Sequence, residues 1–177
     1  MLKKIFLILA LVLIVLIIFI SSRLSEFKVT RSTTISASAE NIFNQVNDFH
    51  NWEAWSPWLE LDPNAKNTFN GPASGVGSSF HWVGNQNVGE GSMTITESRP
   101  NEAIKIRLDF IKPFPGTSNV DFQFVPQGNQ TNVTWSMSGK NNFMAKAVGL
   151  FMDCDKMIGD QYEKGLSNLK AVVEGKK

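Results

Sequence analysis

The fold is decided by residues 104–110, which read Ile-Lys-Ile-Arg-Leu-Asp-Phe. Apolar and charged side chains alternate at every position, so an extended backbone would carry one kind on each side. A period of two is typical of a strand in an antiparallel sheet that has one face in water and one against a core. The inner face of this strand is predicted to hold Ile104, Ile106, Leu108 and Phe110.

The chain on both sides of this strand repeats the same alternation. Turns rich in Gly, Asn and Pro separate the alternating segments, which are 26–36, 78–83, 89–99, 120–124 and 133–137. In the first of them, one face holds Phe27, Val29, Arg31, Thr33 and Ile35. Residues 57–72 contain three prolines and are predicted to be an irregular loop. We therefore expect an antiparallel sheet of about six or seven strands.

The dry face of this sheet needs a cover, and segment 142–174 has the spacing of an amphipathic helix. Its apolar side chains recur every three or four residues, at Met144, Val148, Phe151, Ile158, Tyr162, Leu166, Leu169 and Val173. Gly149 predicts a break between a short helix and a long one. Two short helices are expected after the first strand, over 36–46 and 48–58. This order predicts an α+β fold, with a curved sheet wrapped around the long C-terminal helix.

The N-terminal segment 5–20 is an unbroken apolar run. As a helix it would extend about 24 Å, and residues 2–22 together approach a hydrocarbon core of roughly 30 Å. Two interpretations stay open: a retained single-pass anchor, which the long run and the poor cleavage site favour, and a cleaved signal peptide. We expect residues 1–24 to be a transmembrane anchor and residues 25–177 to be one domain. Two lysines before the helix predict a cytoplasmic N-terminus, with the domain on the periplasmic side of the inner membrane.

Composition limits the classes of function. The chain has 17 basic and 16 acidic residues, and no cluster of Lys and Arg suggests a nucleic-acid partner. Its 13 Phe and five Trp supply more bulky apolar surface than a minimal core needs. Cys154 is the single cysteine, so an internal disulfide is excluded, and we expect it to be a small buried apolar group. No Cys and His residues have the spacing of metal ligands, and we expect neither a metal nor a cofactor.

Several local motifs, in this order and spacing, resemble a known superfamily. They are Val46-Asn47-Asp48-Phe49, Trp52-Glu53-Ala54-Trp55-Ser56-Pro57-Trp58, Gly75-Val76-Gly77, Trp82-Val83-Gly84, Gly89-Glu90-Gly91, Asp155-Lys156-Met157-Ile158-Gly159 and Glu163-Lys164-Gly165-Leu166-Ser167-Asn168-Leu169-Lys170. The chain after the anchor resembles the SRPBCC superfamily of START-like helix-grip proteins, in its polyketide cyclase/dehydrase and lipid-transport branch. The resemblance implies the same fold, with an elongated apolar cavity between the sheet and the long helix. It implies no catalytic motif, because the family shares none.

The candidate ligand-binding residues are the apolar side chains of the predicted inner face, two tryptophans and one tyrosine. They are Trp52, Trp55, Phe80, Trp82, Met93, Ile95, Ile106, Leu108, Phe122, Phe124, Trp135, Met137 and Tyr162. Either these residues line a cavity for a hydrophobic small molecule or lipid, or they form a packed core. Trp52 and Trp55 could also close the open end of the sheet.

Support for acid–base chemistry is thin. Strict alternation from Met93 and Ile95 places Glu97 and Arg99 on the inner face, and Tyr162 is the polar group on the inner stripe of the long helix. Glu97 and Tyr162 are therefore weak catalytic candidates. Three functions follow: a membrane-tethered module that binds a hydrophobic molecule, a cyclase- or dehydrase-like enzyme with a bulky apolar substrate, and an envelope interaction domain. The first is favoured.

Overall fold

The computed structural model describes residues 2–151 and 153–176, and its central element is a seven-stranded antiparallel sheet. The strands are β1 (Glu26–Ile35), β2 (Lys66–Asn70), β3 (Ser79–Val83), β4 (Glu90–Arg99), β5 (Ala103–Lys112), β6 (Gly116–Gln127) and β7 (Gln130–Lys140). Their order across the sheet is β1-β7-β6-β5-β4-β3-β2. Each strand from β2 to β6 pairs with the next along the chain, and β1 pairs with β7 at the other side of the sheet.

The inner face is the one that alternation predicts. Ile106 lies opposite Val120, and Phe122 lies opposite Trp135, in the registers of β5–β6 and β6–β7. All four side chains are buried. Charged residues between them, such as Arg107, remain exposed. The sheet therefore has one dry face and one wet face, and the α+β helix-grip architecture is confirmed.

The described residues also form five α-helices: α1 (Leu2–Ser22), α2 (Ala39–Asn47), α3 (Trp58–Leu61), α4 (Phe143–Val148) and α5 (Cys154–Val173), with a 3₁₀ helix at Phe49–Ala54. Helices α2, α4 and α5 begin where a side chain accepts from a free backbone N–H group. The Ser38 hydroxyl accepts from Asn41 N at 3.3 Å before α2, and the Asp153 carboxylate accepts from Lys156 N at 3.0 Å before α5. Helix α4 ends at Val148 and α5 begins separately at Cys154, so the predicted break at Gly149 is confirmed.

Only the second part of segment 142–174 covers the sheet. Tyr162, Leu166 and Leu169 of α5 are buried, whereas Met144 and Phe151 are 51% and 89% exposed. The prediction that both parts form one covering stripe is therefore wrong for 142–151. This part lies beside α1 instead. Helical spacing alone does not identify what an apolar stripe contacts.

Two predictions about the strands are also wrong. Residues 66–70 were expected to be loop, but they form strand β2 at the edge of the sheet. The sequence did not reveal this strand because an edge strand needs little apolar sequence. In β4, Ile95 pairs with Ile106 and Glu97 pairs with Lys105, so Thr96 is the extra residue of a β-bulge. The bulge turns Glu97 and Arg99 to the outer face, against the expectation from strict alternation.

Cys154 is exposed at the start of α5, although it was expected to be buried. It is the first residue of the helix, immediately after the capping Asp153, and the buried side of α5 begins later, at Gly159. In the first turn of a helix, a small apolar side chain is buried only if another element covers that turn. The sequence provides no such signal here.

The N-terminal helix α1 extends away from the sheet. Of the described helices, it is the one long and apolar enough to cross a membrane, a property that a signal sequence shares. The described side chains of α1 are exposed except that of Ile20, which is 6% exposed in the last turn. Beside that turn, Lys146 Nζ of α4 donates to Ser21 O at 3.1 Å. The domain and α1 therefore meet at α4.

Candidate functional site

A cavity of about 360 Å³ lies between the inner face of the sheet, α5 and the segment that contains the 3₁₀ helix and α3. Most of its wall is apolar or aromatic. The sheet contributes Asn67, Phe69, Phe80, Trp82, Met93, Leu108, Phe110, Val120, Trp135 and Met137. The helices and connections contribute Phe49, Trp52, Glu53, Ser56, Trp58, Leu59, Asp62, Ala65, Asn87, Val88, Met157, Ile158 and Tyr162.

The structure brings most of the candidate ligand-binding residues to this wall. They are Trp52, Phe80, Trp82, Met93, Leu108, Trp135, Met137 and Tyr162. The other candidates lie in the packed core and do not border the cavity: Trp55, Ile95, Ile106, Phe122 and Phe124. Alternation identifies the inner face correctly, but it does not show which part of that face is hollow.

Aromatic rings fix the shape of the wall. The rings of Trp135 and Tyr162 stack at a centroid distance of 3.9 Å with an interplanar angle of 13°. Trp58 packs edge-on against both rings, at 5.7 and 6.1 Å. This approach of α5 to β7 requires Gly165, since a Cβ there would lie 2.8 Å from Trp135 Cζ3 and 3.1 Å from Pro57 Cδ.

Three of the indole N–H groups around the cavity are already bonded to the backbone. Trp52 Nε1 donates to Val46 O at 2.9 Å, and Trp82 Nε1 donates to Val88 O at 3.0 Å. Behind the wall, Trp55 Nε1 donates to Gln45 O at 3.4 Å. These bonds link Trp52 and Trp55 to the C-terminal end of α2, and Trp82 to the β3–β4 turn. Such N–H groups hold the wall together and are not free for a guest.

Trp135 differs from these tryptophans. Its Nε1 is buried and makes no hydrogen bond of good geometry with the described residues, although the Tyr162 hydroxyl is close enough to interact with it. An unpaired buried N–H costs about 1–3 kcal/mol, so native structures rarely retain one. Trp135 belongs to the cavity wall, but its Nε1 atom is itself inaccessible to solvent, so neighbouring protein atoms separate this donor from the cavity. The wall that the Trp135 ring presents to a guest is therefore apolar.

Tyr162 is the second polar group of the inner wall. Burial raises the pKa of its phenol above the ordinary value of about 10, because the phenolate would lose its hydration. The phenol is therefore neutral at physiological pH. It can donate a hydrogen bond to a guest but is a poor general base.

The described wall has two other ionisable groups, Glu53 and Asp62. Glu53 is exposed. Asp62 is buried, and its carboxylate accepts from Asn64 N at 3.1 Å and from Asn85 N at 2.6 Å. These two bonds join the start of β2 to the β3–β4 turn, which gives Asp62 a structural task.

Glu97, the other catalytic candidate, is remote from the cavity. It pairs with Lys105 at 2.6 Å and with Arg99 at 3.1 Å on the outer face of the sheet. The ammonium of Lys105, helped by the Arg99 guanidinium, lowers the pKa of the Glu97 carboxyl below its usual value. No described group of three or more His, Cys, Asp or Glu side chains could hold a metal ion. The apolar and aromatic wall of the cavity is suited to binding an apolar molecule.

Sequence reasoning missed several wall residues. Phe110 and Val120 continue the inner-face alternation of β5 and β6, so that signal could have found them. Phe69 lies on β2, in a segment expected to be loop, and stacks on Phe80 at 5.3 Å. Trp58 and Met157 lie at helix starts, where periodicity is too short to assign a face.

Comparisons with known proteins agree with this geometry. Residues 26–174 match the family model described as polyketide cyclase / dehydrase and lipid transport. No curated protein matches the chain. Similar solved structures include the Aha1 dimer from Colwellia psychrerythraea, with 21% identity and a TM-score of 0.61 over 85% of this chain and 98% of that one.

Two further structures have the same fold. Protein MLL2253 from Mesorhizobium loti is 17% identical, with a TM-score of 0.62 over 85% of this chain and 99% of that one. CalU16 from Micromonospora echinospora is 14% identical, with a TM-score of 0.56 over 86% of this chain and 84% of that one. At these identities the likeness shows the fold alone.

Proposed function

Because the chain belongs to the polyketide cyclase / dehydrase and lipid transport family, we propose that it binds a hydrophobic small molecule or lipid in the cavity between the sheet and α5. The observation that carries this proposal is the largely aromatic cavity of about 360 Å³ between the sheet and α5. Its volume is within the range of about 300–1,000 Å³ that is usual for small-molecule sites.

The polar features of the wall narrow the chemistry of the guest. A molecule with a long apolar body would cover the aromatic and methionine side chains and displace water from them. A single carbonyl, ester or hydroxyl oxygen would accept a hydrogen bond from the neutral phenol of Tyr162, which belongs to the wall. A lipid or a related acyl or polycyclic molecule meets both conditions. An anionic group deep in the cavity would have no cationic partner among the described wall residues and would be costly to desolvate.

We further propose that α1 is a retained anchor, with residues 1–24 in and beside the membrane and residues 25–177 forming the binding domain. A tether keeps the cavity close to a bilayer, which raises the effective concentration of lipidic guests. The two N-terminal lysines support a cytoplasmic N-terminus and a periplasmic domain. Protease treatment of intact cells and of spheroplasts tests the sidedness. Cleavage of the domain only after the outer barrier is removed supports it, and protection in spheroplasts contradicts it.

Guest binding is tested by native mass spectrometry of the full chain released from defined nanodiscs. Met137 lies on the cavity wall and is 4% exposed, so Met137→Trp should fill the cavity. We expect the wild type to retain one apolar molecule that Met137→Trp loses. Lipids around α1 would be the same in both proteins and are thereby subtracted.

Val125→Trp is the matched control, because it adds the same ring at an exposed position outside the cavity. It should retain the guest. Leu108→Trp, also on the wall, provides a second filled variant if Met137→Trp does not fold. Equal occupancy in the wild type and in both filled variants would rule out binding in this cavity.

A further inference from the structure

The strand ends on one side of the sheet meet α1, and we call this end of the sheet the α1 edge. Here β1 begins at Glu26, opposite Lys140 at the end of β7, and Asn141 N donates to Ser25 O at 2.6 Å. Because all neighbouring strands are antiparallel, β6, β4 and β2 also begin at this edge. The β5–β6 turn (112–116) and the β3–β4 turn (84–89) therefore lie at the α1 edge as well.

The cavity lies toward the α1 edge. Val88 in the β3–β4 turn, Phe110 near the end of β5 and Met157 in the first turn of α5 belong to its wall. Phe110 and Met157 are 37% and 52% exposed, so the wall reaches the surface here. At the opposite edge, Ile35 and Phe124 are buried and do not border the cavity. The cavity therefore opens toward the end of the domain that carries α1.

Exposed apolar side chains concentrate at the same edge. Outside α1, eleven large apolar side chains of the described residues are exposed, and all except Val76 and Val125 lie at the α1 edge. Of the nine at the α1 edge, the most exposed are Leu24 (85%), Phe114 (56%) and Phe151 (89%). A monomer in water rarely gathers so many, and such a patch marks an interaction surface.

Contacts with α1 show at which depth this patch would lie relative to a membrane that α1 spans. The Arg23 guanidinium lies over the Phe19 ring at 4.7 Å, as expected where a spanning helix leaves the hydrocarbon. Lys146 Nζ reaches Ser21 O, which puts α4 at the level of the last turn of α1. If α1 spans a bilayer, α4 and the residues after it lie at the headgroup boundary of that bilayer. The continuity with α1 identifies the occupant of the patch.

We infer that the α1 edge is a second membrane contact, in which the apolar side chains of segment 143–151 and of the 112–116 turn insert into the leaflet that α1 leaves. Partial insertion of short apolar segments at the interface is favourable in proportion to the apolar area buried. The cavity mouth then faces lipid, and a guest moves between the bilayer and the cavity without crossing water. This inference rests on the anchor proposed above.

The test measures membrane depth in the full chain reconstituted into phosphatidylcholine vesicles. A Cys154→Ser background removes the native thiol, and single cysteines carry an NBD fluorophore at Phe114→Cys or Phe151→Cys. Ile14→Cys in α1 reports on the anchor, and Asn129→Cys in the β6–β7 turn, at the opposite edge, reports on water. The quencher is phosphatidylcholine with brominated acyl chains. Near-ultraviolet circular dichroism checks the fold of each variant.

We expect brominated lipid to quench positions 114 and 151 several-fold more strongly than position 129. Quenching at position 14 alone would overturn the inference while leaving the anchor intact. Blue-shifted emission at 114 and 151 without quenching would also overturn it, since the patch would then be buried against a protein. Absence of quenching at 14 would refute the anchor and remove the premise. Guest binding is read independently by mass spectrometry, so its failure is distinguishable.

Discussion

The two halves of the space between the sheet and α5 are filled differently. In the half away from α1, Ile35, Ile104, Phe124 and Leu169 are 0–3% exposed and border no cavity. In the half toward α1, the same sheet and helix enclose about 360 Å³. The residues of both halves are apolar, so hydrophobicity does not explain the difference.

The shape and support of the side chains explain it better. In the hollow half, Phe69, Phe80 and Trp82 stack along the wall at 5.3 and 5.9 Å, and the Trp82 indole is bonded to the backbone. Rings held in this way cannot collapse into the space as branched aliphatic side chains do. The comparison teaches that stacked rings bonded to the backbone hold a cavity open, whereas in the packed half rings such as Phe124 are combined with aliphatic side chains that fill the gaps between them.

The largest expected effect is a difference in unfolding free energy between an alanine substitution in the packed half and one in the hollow half. Phe124→Ala, in the packed half, should lower the free energy of unfolding by about 3–5 kcal/mol, because the lost ring leaves a new void. Met93→Ala, on the cavity wall, should cost less than about 2 kcal/mol, because one side of that side chain already faces empty space. Chemical denaturation of the full chain in detergent measures both values. Equal costs would mean that the hollow half is packed in solution.

A smaller effect is expected where α5 approaches the sheet. Gly165→Ala would press Cβ against the Trp135 ring and Pro57, neither of which can move freely. We expect a loss of about 1–2 kcal/mol after the gain in helix propensity is subtracted. It should also change guest occupancy, because α5 must shift away from Trp135.

Gly159→Ala is the matched control on the same helix. Its Cβ would overlap the Arg31 guanidinium, which is the flexible end of a side chain and can move. Arg31 would then weaken its contacts with Asp155 and Glu163, and pairs with such exposed carboxylates contribute little to stability. Helix propensity should offset much of this cost. If Gly159→Ala is more destabilising than Gly165→Ala, the rigid contact at Trp135 is not what limits the approach.

The smallest effect concerns the stability of the fold at low pH, which depends on Glu174 at the C-terminal end of α5. The Lys176 ammonium at 2.6 Å and the Ser36 N–H at 2.8 Å lower the pKa of Glu174 to about 2. Since the folded pKa is below the unfolded value of about 4.3, the carboxylate stabilises the fold above pH 4.3. This contribution is lost as the pH falls from there toward 2.

Glu174→Gln should therefore reduce the fall in unfolding free energy between neutral pH and pH 2, with little change in its slope above pH 5. Denaturation series of both proteins at several pH values provide the measurement. Parallel pH profiles for the wild type and the variant would contradict the assigned role.

Local sequence was sufficient for most strands because side-chain orientation alternates along an extended backbone whatever surrounds it. It was insufficient at Thr96, where one extra residue reverses the faces of Glu97 and Arg99, and at β2, whose edge position requires little apolar sequence. The same limit applies to the site. Ile106 and Leu108 have the same periodicity on the same strand, but only Leu108 borders the cavity.

The sequence by itself determined the dry face of the sheet, the long α5 helix and the apolar N-terminal helix, because each depends on periodicity or composition along a short stretch of chain. Only the tertiary structure decided where the cavity lies, that Trp135 stacks on Tyr162 in its wall and that exposed apolar residues gather at the α1 edge. These properties depend on distances between segments far apart in sequence. Packing sets such distances, and no local pattern encodes them.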